Sequence, residues 1–167
     1  TIFKCDWSSD VCSSDLAMFR LVLTLLVALT LCQATTIEDP KMADQLMGEH
    51  VFNLQWIGDP PGVAKLTEPT KGELQLEAIQ ENAKGDFASV KGRITKVTAK
   101  TFELDGTVTT KVSYVNGGQV CERSGRFTFR ITGARKYWRL KEMGNCEGNS
   151  VVDYVDVFFA RPKSKKP

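Results

Sequence analysis

Between Ala88 and Cys146, apolar and polar residues alternate through four successive segments. Period two is the signature of strands that turn one face to a core and the other to water. In TFELDGTVTTKVSYV, Phe102, Leu104, Val108, Val112 and Tyr114 share one face, while Glu103, Asp105, Thr107, Thr109 and Lys111 share the other. Asn116-Gly117 predicts a two-residue turn with positive φ at its centre. That turn sets Leu104 opposite Phe129 and Phe102 opposite Ile131, so both apolar rows fall on one side, and a slip of one residue would expose one of them. A second turn, Thr132 to Arg135, sets Phe129 across from Trp138 and Phe127 across from Leu140. The same register brings Cys121 opposite Cys146, although neither cysteine enters its choice. On the other side, Ser89 to Lys96 pairs with the strand starting at Phe102, with Ile94 meeting Leu104 and Val90 meeting Val108.

Upstream, Glu49 to Ile57 alternates His50, Phe52, Leu54 and Trp56 with polar neighbours, and Val63–Thr67 and Glu73–Gln80 form a hairpin around Pro69 to Gly72. Downstream, VVDYVDVFFA supplies an eighth strand whose inward face stays open, because both parities are largely apolar. Asp39-Pro40, followed by Gly48, predicts a short helix over Pro40–Met47. Eight sequential strands with short turns and no crossover helix predict an all-β fold, either an eight-stranded antiparallel up-and-down barrel or a two-layer β-sandwich. Closure removes exposed edges and favours the barrel. The arrangement resembles the lipocalin and fatty-acid-binding (calycin-like) group, including the short helix before the strands. The likeness is architectural: the lipocalin Gly-x-Trp is absent, since Gly48 precedes Trp56 by eight residues, and no family residue carries over. The mature chain also resembles small, uncharacterised exported bacterial proteins, which implies no activity.

The N-terminal region changes the cysteine arithmetic. Residues 1–17, TIFKCDWSSDVCSSDLA, have neither apolar period nor turn logic, precede an internal methionine, and look like translated sequencing adapter; Cys5, Cys12 and Trp7 are therefore set apart from the fold. From Met18 the chain reads as a signal peptide, with Arg20 before an 11-residue apolar run, Leu21 to Leu31, too short to span a bilayer. Cys32-Gln33-Ala34 predicts cleavage after Ala34, a mature protein starting at Thr35, and a secreted or periplasmic location. The alternative, lipid modification of Cys32, is disfavoured by Leu31 just before it. The domain expectation is a segment 35–48 with the helix, a barrel over 49–160 and a basic tail over 161–167. An exported chain left with Cys121 and Cys146 is expected to oxidise them to a disulfide.

Charge excludes one class of partner. Residues 35–160 carry 16 Lys and Arg against 17 Asp and Glu, and the excess lies in the terminal RPKSKKP. Nucleic acid is not an expected partner, because its binders need a basic face. No catalytic signature stands out. His50 is the one histidine, Asp153 and Asp156 differ in parity and cannot serve one substrate together, and no Gly-rich phosphate loop is present. The expectation is a monomeric, non-enzymatic protein without metal or cofactor.

One residue stands apart. Arg123 falls by parity inside the barrel, with Cys121, Gly125 and Phe127, and a buried guanidinium needs a partner. One reading pairs it internally with Asp153 or exposes it at the barrel mouth. The sharper one has Arg123, with Tyr114, receive the carboxylate of an amphipathic ligand whose tail lies against Trp138 and Trp56. The functional expectation is a barrel binding a small apolar or amphipathic molecule; the alternative is a filled barrel that acts as an envelope or surface interaction module. Gly92 and Gly106, opposed in the predicted pairing, leave room for a cavity or for a sharp strand bend.

Overall fold

In the computed structural model, which describes residues 34–159, the chain enters through β1 (Thr36–Ile37) and turns into a short helix, α1 (Pro40–Leu46). Asp39 caps this helix, its Oδ1 accepting the Met42 N–H at 2.9 Å. Pro40 occupies the first turn, where no N–H is needed. The helix ends one residue before the predicted Met47, and Ala43 and Leu46 are its buried side chains. The expectations for the adapter-like tract, the signal peptide, Cys32 and the basic tail fall outside the described residues.

The strands that follow are β2 (Gly48–Leu54), β3 (Gly62–Thr70), β4 (Glu73–Glu81), β5 (Phe87–Val97), β6 (Thr101–Lys111), β7 (Cys121–Arg130), β8 (Tyr137–Leu140), β9 (Gly144–Asn145), β10 (Gly148–Val152) and β11 (Val155–Phe158). β2 through β8 pair antiparallel in sequence order, and β11 pairs with both β8 and β2. The result is a closed, eight-stranded up-and-down barrel, as the alternation predicts; the sandwich is excluded. β9 and β10 form a separate hairpin, and β1 adds parallel to the end of β5. Thr35 secures that addition: its Oγ1 donates to Ile94 O at 2.6 Å and accepts from Leu74 N at 3.0 Å.

The β5–β6 register is the predicted one, with Ile94 opposite Leu104 and Val90 opposite Val108. Two other registers are corrected by two residues each. Leu104 faces Phe127 and Phe102 faces Phe129, not Phe129 and Ile131. Phe129 faces Leu140 rather than Trp138. A two-residue slide preserves which face each side chain takes, so the apolar rows still meet. The β6–β7 slide comes from the connection after β6: residues 112–120 leave the sheet, Val112 and Val115 fold into the core, and Asn116, Gly117 and Gly118 all take positive φ (53°, 59° and 73°). The β7–β8 slide belongs to the separate connection over residues 131–136. Tyr114, predicted to share the inner face, is 66% exposed on this loop. The predicted eighth strand is also broken. Its first part belongs to the β9–β10 hairpin, and only Val155–Phe158 joins the barrel, with Val155 and Val157 buried.

The core is continuous. Phe102 stacks on Phe129 with ring centroids 4.7 Å apart, and Trp138 meets Phe102, His50 and Phe159 edge-on or tilted at 5.9, 5.7 and 4.5 Å. These rings fill the end of the barrel beside α1. His50 has its ring nitrogens 2.8 Å from Leu46 O and 2.9 Å from Phe158 O, which ties the helix to the last strand. The opposite end is bounded by the loops after β2, β4 and β6 and by the β9–β10 hairpin.

Gly92 and Gly106 lie opposite each other. A Cβ on Gly106 would stand 2.2 Å from Lys91 O and 2.6 Å from Gly92 Cα. The two backbones therefore cross closer than any side chain allows, the sharp bend that barrel strands need. Gly106→Ala is expected to cost about 1–3 kcal/mol in chemical denaturation, the scale of overpacking a tight site. Unchanged stability would contradict the close-approach account.

Candidate functional site

At the loop end, the break between β10 and β11 sets Asp153 inside the barrel wall, fully buried. Three hydrogen-bond donors and one guanidinium converge on it. Its Oδ1 accepts from Trp56 Nε1 at 3.1 Å and Asn145 Nδ2 at 2.9 Å. Its Oδ2 accepts from Thr110 Oγ1 at 3.4 Å and lies 3.6 Å from Arg123 Nη2. Arg123 Nη1 also donates to Glu142 O at 2.7 Å, whereas Nε and Nη2 have no hydrogen-bond acceptor among the described residues. Burial lowers the guanidinium's pKa from its ordinary value, against the opposing pull of Asp153 and Glu142. The carboxylate thus gathers β6, β7, the β9–β10 hairpin and the loop after β2 around one charge.

Of the four residues expected to form a ligand site, three come together here. Arg123 and Trp56 share Asp153, and Tyr114 donates its hydroxyl to Trp56 O while its ring meets the Trp56 ring edge-on at 6.5 Å. Trp138 does not join them. It is fully buried at the helix end, with its Nε1 facing no acceptor among the described residues. Phe102, which it touches, starts β6, whereas Thr110 of the Asp153 group lies near that strand's other end. The Cys121–Cys146 disulfide braces the same end, Cα atoms 5.5 Å apart. The pairing is the predicted one, but Cys146 follows β9 in a turn and does not extend β8, so the register that suggested it is not the one present.

A second polar clasp closes the neighbouring loops. Asp86 accepts from Ser113 N at 2.8 Å and from Asn82 Nδ2 at 3.1 Å, and these bonds, Asn82's first, hold its carboxyl below the ordinary range. Gln80, also buried, accepts from Leu54 N at 2.7 Å and donates to Gly58 O at 2.8 Å and Pro60 O at 3.0 Å.

Two depressions open on the outer wall. One, ≈ 420 Å³, spans β3 to β5 and includes Val63 and Ile79, which are cross-strand partners and are 51% and 57% exposed. The other, ≈ 280 Å³, lies over β7 and β8 and is lined by Arg130, Thr132, Arg135, Arg139, Leu140, Lys141, Met143 and Tyr154. Charge summed over the domain conceals this second feature. The signal was local: residues 130–141 contain Arg130, Arg135, Lys136, Arg139 and Lys141 and no acid. Among the described residues, no group of three or more His, Cys, Asp or Glu side chains is placed to hold a metal ion. No helix there is long and apolar enough to cross a membrane.

Fold and site together define a small closed barrel with a packed interior and a polar, disulfide-braced end. More narrowly, the chain belongs to the PM1083 family, whose model matches residues 34–159. It is 42% identical over 121 residues to the Pasteurella multocida (strain Pm70) protein named Uncharacterized protein PM1083, an alignment covering 71% of this chain and 76% of that one. No solved structure matches.

Removing Asp153 leaves a largely buried guanidinium without its counter-charge. Asp153→Ala is expected to cost about 3 kcal/mol in denaturant unfolding, and Asp153→Ala combined with Arg123→Met less than the single change. Equal losses would dissolve the proposed pairing. Asp86 yields a pH dependence: its carboxyl titrates lower folded than unfolded, so its contribution is complete above the ordinary Asp value and is lost as pH falls through the lowered one. The stability difference between wild type and Asp86→Asn is expected to be widest above about pH 4 and to shrink in more acidic solution. A difference that grows on acidification would refute it.

Proposed function

We propose that this protein is an exported, non-catalytic interaction module that recognises its partner on the outer wall of the barrel, its interior serving as core. The observation that carries the reading is the filling of the lumen. Trp138, Phe52, Phe102, Phe129, Leu104 and Leu140 are among the fully buried side chains, and Asp153 with its donors occupies the other end, whereas both described depressions open outward. Ligand-binding barrels keep a cavity of roughly 300 Å³ or more for their guest; side chains at native packing density leave none. The Cys121–Cys146 bond supports export, because disulfides persist in oxidising compartments.

A second reading is favoured by one observation. Arg123 keeps Nε and Nη2 without acceptors beside Trp56 and Tyr114, which suits the carboxylate of an amphipathic ligand. Fatty-acid titration followed by tryptophan fluorescence separates the two readings. The module reading expects no saturable change at micromolar ligand. Saturable binding that Arg123→Met abolishes would replace it with the second.

A further inference from the structure

We infer that the ≈ 280 Å³ depression over β7 and β8 is a binding site for a phosphate or sulfate ester group. The inference rests on the outer-wall reading above and names the chemistry that wall recognises.

Four cations line the depression: Arg130, Arg135, Arg139 and Lys141. Arg130 and Arg139 are directly opposed partners on neighbouring strands. Like charges in that position are destabilising unless something neutralises them. One carboxylate is ion-paired to a lining cation. Asp156 grips Arg139 through both oxygens, at 2.7 Å to Nε and 2.6 Å to Nη2, and is spent on that single partner. Arg130 and Lys141 have no ion pair among the described residues, and Arg135 lies over the Tyr137 ring at 5.6 Å. Two other carboxylates stand nearby outside the lining: Glu142, between Lys141 and Met143, accepts from Thr128 N at 2.7 Å, and Glu103 of β6 lies opposite Thr128 on β7 and Lys96 on β5. A concave surface lined by three guanidiniums and an ammonium, with no carboxylate in its lining, is complementary to a tetrahedral oxyanion, which arginine forks bind bidentately.

The site is also built. Asp156 is 7% exposed at its side chain and fixes Arg139 from below, and the Arg139 guanidinium is held between the Tyr137 and Tyr154 rings at 5.3 and 4.3 Å. Hydrogen bonding to Asp156 pushes the Arg139 pKa further up. Holding this cation in advance lowers the ordering cost of binding. Tyr154 and Met143 give the wall an apolar rim for the group that carries the ester.

The test uses calorimetric titration of the folded protein with inorganic pyrophosphate, and cosedimentation with phosphatidylcholine vesicles with and without phosphatidylglycerol. The comparison is Arg130→Gln/Arg135→Gln against Arg126→Gln, an exposed arginine of the same strand outside the depression. Expected is saturable pyrophosphate binding at low ionic strength, weakened at least tenfold in the double variant and unchanged in Arg126→Gln. Vesicle binding that needs phosphatidylglycerol and is lost in the double variant identifies a lipid headgroup as the source; pyrophosphate binding alone identifies a soluble ester. No binding in either arm, or equal loss in Arg126→Gln, overturns the site. Because these variants do not touch the lumen, their failure is distinct from failure of the outer-wall reading, which the fatty-acid titration decides.

Discussion

Four residues close this barrel. Val155–Phe158 pair with β2 on one side and β8 on the other, three register pairs each, and without them two strands would show raw edges. The sheet is thinnest here, since β8 and β11 have four residues each while β5 and β6 have eleven. So short a strand cannot rely on ladder bonds, and each of its faces carries a separate anchor. Val155 and Val157 are buried inside. Asp156 clamps its directly opposed partner Arg139 outside. Phe159 N donates to Lys136 O just past the strand, and His50 approaches Phe158 O from the helix end.

The polar group at the loop end belongs to the same economy of support. β7 and β8 share two register pairs, Phe129 with Leu140 and Arg130 with Arg139, so the start of β7 would otherwise hang from β6 alone. The disulfide ties that start to the β9–β10 hairpin across a sequence separation of 25, a loop worth roughly 3 to 4 kcal/mol by chain entropy. Asp153 adds a second tie, to Arg123 on the same strand. A buried charge pair is a poor source of net stability, but it selects one arrangement because breaking it strands a charge. Arg123 and Asp153 are understood as a specifier of this corner before they are understood as a receptor.

Much of this was legible in the alternation, and the misses have physical causes. Parity fixed which face each side chain takes, so the barrel and the inward Arg123 could be read, while Asp153 was one of several partners left open to it. Parity is blind to slides of two. Val112, Val115 and Val120 look like strand residues, and nothing in their order reveals that Asn116 to Gly118 turn over a nine-residue loop instead of a tight reversal. Parity also says nothing about height along the barrel axis, which is why Trp138 shares an inner face with Arg123 yet lies at the other end. The basic patch was missed because charge was summed over the chain, and a sum discards position.

The outer patch and the seam are one structure. Arg139 is the clamp that holds β11 and also the wall of the cationic depression, while its opposition to Arg130 works against the same β7–β8 junction. Cross-strand repulsion there weakens the thinnest part of the barrel, and Asp156 offsets it for one of the two arginines only. An anion seated among these cations would remove the remaining repulsion, and because the depression exists only when β7, β8 and β11 are assembled, its binding free energy would be added to the closed state. Occupancy and seam stability are then linked quantities: whatever fills the depression tightens the closure on which the packed interior depends.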